Sequence, residues 1–230
     1  MRFKVKKLLV VLLVLVLGIG GGIGMYAISL NLNKAEEVKP QPEETTKEEE
    51  SSKIIVSEER GNLHVSRYIF LGDSRFYGME SFAEEDDVFI YEIGEGYDFM
   101  MRHLDEAKSN IVDEDTVMII GMGVNDFRAN ADKYIGSINE LADEKICQVY
   151  YMLVNPVDDA IVQQNGYNLS NAELDEFNEK MRQGLNENVK LIDANAYLKN
   201  YGYNTEDGLH YDLETYKKIY EYIKVCVTNY

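Results

Sequence analysis

Cysteine, histidine and positive charge are all in short supply in this 230-residue chain. Its two cysteines, Cys147 and Cys226, allow at most one disulfide, which excludes a disulfide-stapled scaffold. Cys147 borders an expected strand and Cys226 ends an expected helix, so both read as buried free thiols rather than as loop staples. No Cys/His spacing of the zinc type occurs, and no metal or cofactor is expected. Three histidines, His64, His103 and His210, are the entire imidazole supply for acid–base chemistry. Lys and Arg number 23 against 41 Asp and Glu, a formal charge of −18. Such a surface repels nucleic acid and anionic lipid headgroups, which excludes a polyanion-binding role.

One long apolar run is present. Leu8 to Leu30 contains no charged residue and follows Arg2, Lys4, Lys6 and Lys7. As a helix it would rise roughly 35 Å, enough for a hydrocarbon core of about 30 Å. A cleavable signal peptide has an apolar core of only about 7–15 residues, and no clear small-x-small site closes this run. Residues 1–32 are therefore expected to be an uncleaved signal anchor, with the membrane as partner. The glycines between Gly18 and Gly24 suit a membrane helix better than a helix in water. They do not form a phosphate loop, since no strand precedes them and no Lys-Ser/Thr follows. Basic residues before the span and acidic ones after it place the N-terminus in the cytoplasm and the rest of this single-pass protein outside the cell. Residues 33–60 are rich in Glu, Lys, Thr, Ser and Pro and read as a disordered acidic linker.

From about Gly61 the pattern becomes an alternation of strand and helix, giving a domain at 61–230. Apolar or β-branched runs lie at Tyr68–Leu71, Val88–Ile93, Thr116–Gly121, Val149–Val154 and Val189–Ile192. Helical stretches follow at Tyr97–Asn110, Ala131–Glu144, Asn171–Asn188 and Leu213–Val227. Leu174, Phe177, Met181 and Leu185 give the third of these one apolar face. Strands each followed by a helical segment imply an α/β fold, a parallel five-stranded sheet covered on both sides. Sites in such sheets gather at the carboxyl ends of the strands.

Four elements fall at those ends or in the last loop. Gly72-Asp73-Ser74 closes the first strand, where a serine opening a helix exposes its hydroxyl and its amide together. By itself the tripeptide also reads as an ordinary helix cap. Asp207-Gly208-Leu209-His210 precedes the last helix, and Asp and His three apart on one loop can supply a base and the carboxylate that orients it. Neither His64, at the domain's start, nor His103, inside a helical stretch, has such a setting. Gly123-Val124-Asn125-Asp126 offers a side-chain amide to a developing oxyanion, though Asn-Asp after Gly is also common turn chemistry. Gly94-Glu95-Gly96 offers unobstructed backbone N–H groups.

Together these residues resemble the blocks of the SGNH hydrolase superfamily, the GDSL-type esterases and lipases, over Tyr68 to the C-terminus. The resemblance implies a flavodoxin-like three-layer α/β/α sandwich, preceded here by the transmembrane helix and linker. It implies Ser74 as nucleophile, His210 as base and Asp207 as its partner. The oxyanion would be held by the amides of Ser74 and Gly96, with Gly94 as a substitute for Gly96, and by the side chain of Asn125. Two departures mark a divergent branch: Arg75 stands where the named motif has Leu, and Glu95 where a Ser is common. Arg75 reads either as a ligand for a carboxylate or phosphate or as a salt bridge to neighbouring acids. The implied activity is removal of short acyl groups, acetyl first, from envelope or extracellular carbohydrate. A carbohydrate O-acetyltransferase and a catalytically idle binding domain remain as alternatives. The residues name no substrate-binding set, although some of the 17 tyrosines could stack on sugar rings.

Overall fold

The computed structural model describes residues 64–229. The expected anchor at 1–32 and linker at 33–60 lie outside those residues. Among the described residues no helix is long and apolar enough to cross a membrane.

Five parallel strands form one sheet: β1 Arg67–Gly72, β2 Val88–Tyr91, β3 Thr116–Gly121, β4 Gln148–Met152 and β5 Val189–Ile192. Their order across the sheet is β2-β1-β3-β4-β5. The helices are α1 Ser74–Met79, α2 Tyr97–Ser109, α3 Phe127–Asp143, α4 Asp159–Gln164, α5 Asn171–Gly184, α6 Ala194–Tyr201 and α7 Leu213–Thr228. A 3-10 turn, Glu80–Phe82, follows α1.

The sheet order settles which helix covers which face. The step from β1 to β2 moves in one direction, and every later step moves in the other. Right-handed crossovers then put α1 on one face and α2, α3 and α5 on the opposite one. The packing shows this arrangement. Ile69, Leu71, Met118 and Ile120 meet Phe99, Tyr134, Ile138, Leu174, Phe177 and Met181 on one side. Phe70, Val117 and Ile119 meet Phe76, Met79, Leu198, Ile219 and Ile223 on the other. Alternate residues of each central strand thus feed separate cores, because side chains along a strand point to opposite faces. Cys147 packs against the first core and Cys226 against the second. Both thiols are free and partly buried, and burial raises both pKa values, that of Cys147 to about 11.

All five strands stand where the apolar runs put them, β3 and β5 with the expected bounds and the other three with shifted ends. Two runs extend past their strands: β2 stops at Tyr91, leaving Ile93 outside, and β4 stops at Met152. Helix α3 begins at Phe127, four residues before the expected start. Helix α5 ends at Gly184, so Leu185 packs against the core from the extended residue after it.

The chain steps from β1 outward to β2 and then back across β1 to β3. That switch point opens a crevice at the carboxyl ends of β1 and β3.

Candidate active site

Ser74 sits at this switch point. β1 ends at Gly72, and Asp73 caps α1 by accepting from the Arg75 backbone N–H at 3.1 Å. Ser74 is the first residue of α1, where helical N–H groups have no partner in the ladder, and it is 5% exposed. The helix is held down by Phe76, whose ring lies over Gly72 and Gly121, partners across β1 and β3. A Cβ at either glycine would stand 2.3 or 2.5 Å from that ring. Close backbone approach therefore fixes where the helix that opens with Ser74 begins.

Arg75 turns inward. Its Nε and Nη2 donate to the two carboxylate oxygens of Asp73, each at 2.8 Å, and Nη2 also donates to the Gly121 carbonyl at 2.8 Å. Burial disfavours the charged guanidinium, but the Asp73 charge and hydrogen bonds outweigh it and raise its pKa. At 1% exposure Arg75 is a salt bridge tying the Ser74 turn to β3, and it does not face a ligand.

The second half of the site is built by a short loop. Thr205 and Tyr211 pair as an antiparallel bridge, and the Glu206 N–H donates to the His210 carbonyl at 2.8 Å. Inside this turn Asp207 Oδ1 accepts from the backbone N–H groups of Leu209 and His210, at 3.0 and 2.7 Å. Gly208 has φ +93°, and a Cβ there would also come within 2.6 Å of the Val162 nitrogen. Only glycine satisfies both conditions.

The ring of His210 bridges the two halves. Its Nδ1 lies 2.8 Å from Asp207 Oδ2, and its Nε2 lies 2.9 Å from Ser74 Oγ. Partial burial pushes the Asp207 carboxyl up. Donation from the His210 backbone and ring, the Leu209 N–H and the Tyr167 hydroxyl overcomes this and holds it well below the usual carboxylate range. An ionised carboxylate can only accept, so Nδ1 carries the proton and Nε2 accepts from the serine hydroxyl. Chain segments 136 residues apart thereby form one relay.

The remaining expected residues come together on their own side. The loops after β2 and β3 flank the Ser74 turn, because β1 lies between those strands. Asn125 Nδ2 donates to the Glu95 carbonyl at 2.7 Å. Gly96 caps α2 against Asp126, whose carboxylate would lie 2.3 Å from a Cβ at that position. Gly94, by contrast, has open space around it. Asp126 accepts from the Tyr97 N–H, Asn130 Nδ2 and Tyr134 Oη, each at 2.8 Å. The final Asp of the Gly-x-Asn-Asp block thus clamps the two loops, a role its neighbours in sequence do not reveal.

Tyr167 is another residue the sequence does not mark. It stands after α4, 40 residues from Asp207, and its hydroxyl donates to Asp207 Oδ2 at 3.0 Å, the oxygen that also faces His210. Tyr167→Phe is expected to lower kcat/KM about three- to tenfold, the range for a partly exposed hydrogen bond to a charge. A carboxyl with a lowered folded pKa adds stability above its unfolded pKa of about 4 and loses it as pH falls through the folded value. The stability gap between wild type and Tyr167→Phe should therefore be widest at neutral pH and narrow below about pH 4 in thermal melts. A gap independent of pH would mean that Tyr167 acts through packing alone.

A cavity of about 380 Å³ opens beside Ser74 and His210. Tyr77, Ile93, Leu213 and Tyr216 form its apolar walls, and neither Gly96 nor Asn125 borders it. His64 is exposed, and His103 pairs with Glu106 on the surface of α2. Among the described residues no cluster of His, Cys, Asp or Glu is arranged to hold a metal ion.

The fold is one shared with GDSL-type lipases and acylhydrolases. A GDSL-like lipase of Bacteroides thetaiotaomicron superposes with a TM-score of 0.56 at 17% identity, over 70% of this chain and 87% of that one. A lipase/acylhydrolase of Enterococcus faecalis gives 0.53 at 14%, over 70% and 95%. An acetyl xylan esterase gives 0.53 at 18%, over 70% and 99%. No family model matches the sequence, and no curated protein matches it significantly.

Proposed function

We propose that this protein is a serine esterase that removes short acyl groups, acetyl first, from carbohydrate outside the cell. The observation that carries the reading is the relay Asp207–His210–Ser74, closed at 2.8 and 2.9 Å. Ser74 Oγ attacks the ester carbonyl as its proton passes to His210 Nε2. The charge on the carbonyl oxygen falls to the Ser74 and Gly96 amides and the Asn125 side chain. His210 then returns the proton to the leaving alcohol, and acyl-Ser74 remains. Water, deprotonated by His210, attacks the acyl-enzyme and releases the carboxylic acid, restoring the serine hydroxyl. Asp207 keeps the imidazole in the required tautomer and steadies its positive form.

The apolar run at Leu8–Leu30, with basic residues only on its N-terminal side, supports a membrane anchor with the domain outside. The superposed acetyl xylan esterase supports an acetylated carbohydrate as substrate.

One experiment tests activity and location together. A charged, membrane-impermeant fluorophosphonate is applied to intact cells that express the full chain. Labelling of Ser74 is expected before lysis. Labelling only after lysis would put the domain inside, and no labelling in either state would remove the esterase reading.

A further inference from the structure

The cavity beside Ser74 has features that the relay does not need. Nine large hydrophobic side chains are well exposed among the described residues, and three of them surround this one cavity: Tyr77 at 58%, Ile93 at 60% and Leu213 at 62%. They come from three elements, α1, the loop after β2 and the first turn of α7. Single exposed apolar residues are ordinary, but their convergence on a reactive serine marks a surface built to be covered. The floor is Tyr216, packed so closely on Gly78 that a Cβ there would stand 2.3 Å from its ring. Tyr77 is held edge-on by Tyr91, with ring centres 5.8 Å apart. Apart from Asp207, the one carboxylate at this cavity is Glu206, exposed at the rim.

Position decides which part of an ester lies here. The leaving oxygen must come within reach of His210 Nε2, since that nitrogen returns its proton. Most of the cavity's border comes from the His210 loop and the start of α7, including Glu206, Tyr211, Leu213 and Tyr216. Asn125 does not border it and lines a separate hollow of about 300 Å³. The cavity is therefore on the alcohol side of the scissile bond. Its polarity is divided, with apolar walls and one carboxylate at the rim. An alkyl alcohol has no use for Glu206, whereas a sugar ring has an apolar C–H face and hydroxyls at its edge.

Resting on the esterase reading above, we propose that this cavity is the alcohol-side subsite and holds one sugar ring. The ring's apolar face lies against Tyr77, Ile93 and Leu213, and Glu206 accepts a ring hydroxyl. The subsite then selects for the alcohol and is indifferent to the length of the acyl group.

The test uses the full-length protein and compares acetylated methyl glucoside with cyclohexyl acetate, and acetyl with butyryl esters of one alcohol. Ile93→Ser and Leu213→Ser, both at exposed positions, are expected to lower kcat/KM for both ring acetates about tenfold, the low end for losing an apolar contact to substrate. The acetyl-to-butyryl ratio should stay at its wild-type value. Glu206→Gln should slow only the sugar acetate. Variants that change acyl-length preference while leaving alcohol preference intact would overturn the assignment, as would Glu206→Gln slowing both acetates equally. Binding of methyl glucoside, followed through the methyl NMR signals of Ile93 and Leu213, separates this proposal from the activity. Shifts without turnover of any ester would support the subsite and count against the esterase. No shifts would overturn the subsite whatever the turnover.

Discussion

Ser74→Ala and His210→Ala should each abolish hydrolysis of p-nitrophenyl acetate, with kcat falling on the order of 10⁴- to 10⁶-fold. The size follows from the connectivity of the relay. Ser74 Oγ has its proton acceptor 2.9 Å away, and that acceptor is fixed by an ionised Asp207 at 2.8 Å. Loss of the nucleophile ends acyl transfer, and loss of the base leaves a hydroxyl that is almost never ionised at neutral pH. Because the residues act as one unit, the double variant should be no slower than either single one. Additive losses would show that the two residues work separately. Asp207→Asn should cost about 10⁴-fold, because an amide can stabilise the wrong imidazole tautomer. Thermal melts close to wild type would assign these losses to chemistry and not to unfolding.

Arg75→Leu should destabilise the domain by about 3–5 kcal/mol, the usual result of leaving a buried charge without its partner. For a domain of this size the melting temperature would fall by roughly 10 °C. By motif the change looks harmless, since Leu follows the serine in the GDSL motif that this turn resembles. In this structure the side chains of Asp73 and Arg75 are 0% and 2% exposed, and the guanidinium supplies both of the strong hydrogen bonds to the carboxylate. Without it Asp73 is an uncompensated anion beside Ser74, and the tie to the Gly121 carbonyl is lost. Asp73→Asn added to Arg75→Leu should recover part of the loss, because the amide oxygen can still cap α1 while no charge stays buried. A double variant less stable than Arg75→Leu would show that the pair is not the source of the effect.

The central strands β1, β3 and β4 were legible because burial on both faces demands near-continuous apolar runs, and few other structures tolerate them. Strand ends were less so. Ile93 continues the apolar run of β2, yet it stands 60% exposed beside the serine, since its contact is with the cavity and not with the core. Helices α4 and α6 have six and eight residues, too short to develop a clear apolar period. Both rely on Asp side chains, Asp158 and Asp193, that cap their first turns. The early start of α3 has a tertiary cause as well. Asp126, its cap residue, is anchored by Tyr97 and Tyr134.

Among the site residues, the types and chain positions of the groups that could react were readable without any fold. Gly72-Asp73-Ser74 and Asp207-Gly208-Leu209-His210 carry their chemistry in local spacing. A turn of four residues is enough for Asp207 to accept from the His210 backbone and to face its ring. What those groups meet follows from long-range packing. The 2.9 Å contact between His210 and Ser74 depends on the sheet order and on helix α4, which packs against Gly208. The Arg75 bond to the Gly121 carbonyl, the Tyr167 bond to Asp207 and the gathering of Tyr77, Ile93 and Leu213 around one cavity have the same origin. The physical reason is range. Caps, turns and apolar periods act over a few residues and leave their mark in the sequence, whereas these contacts join residues far apart along the chain through packing that no local pattern encodes.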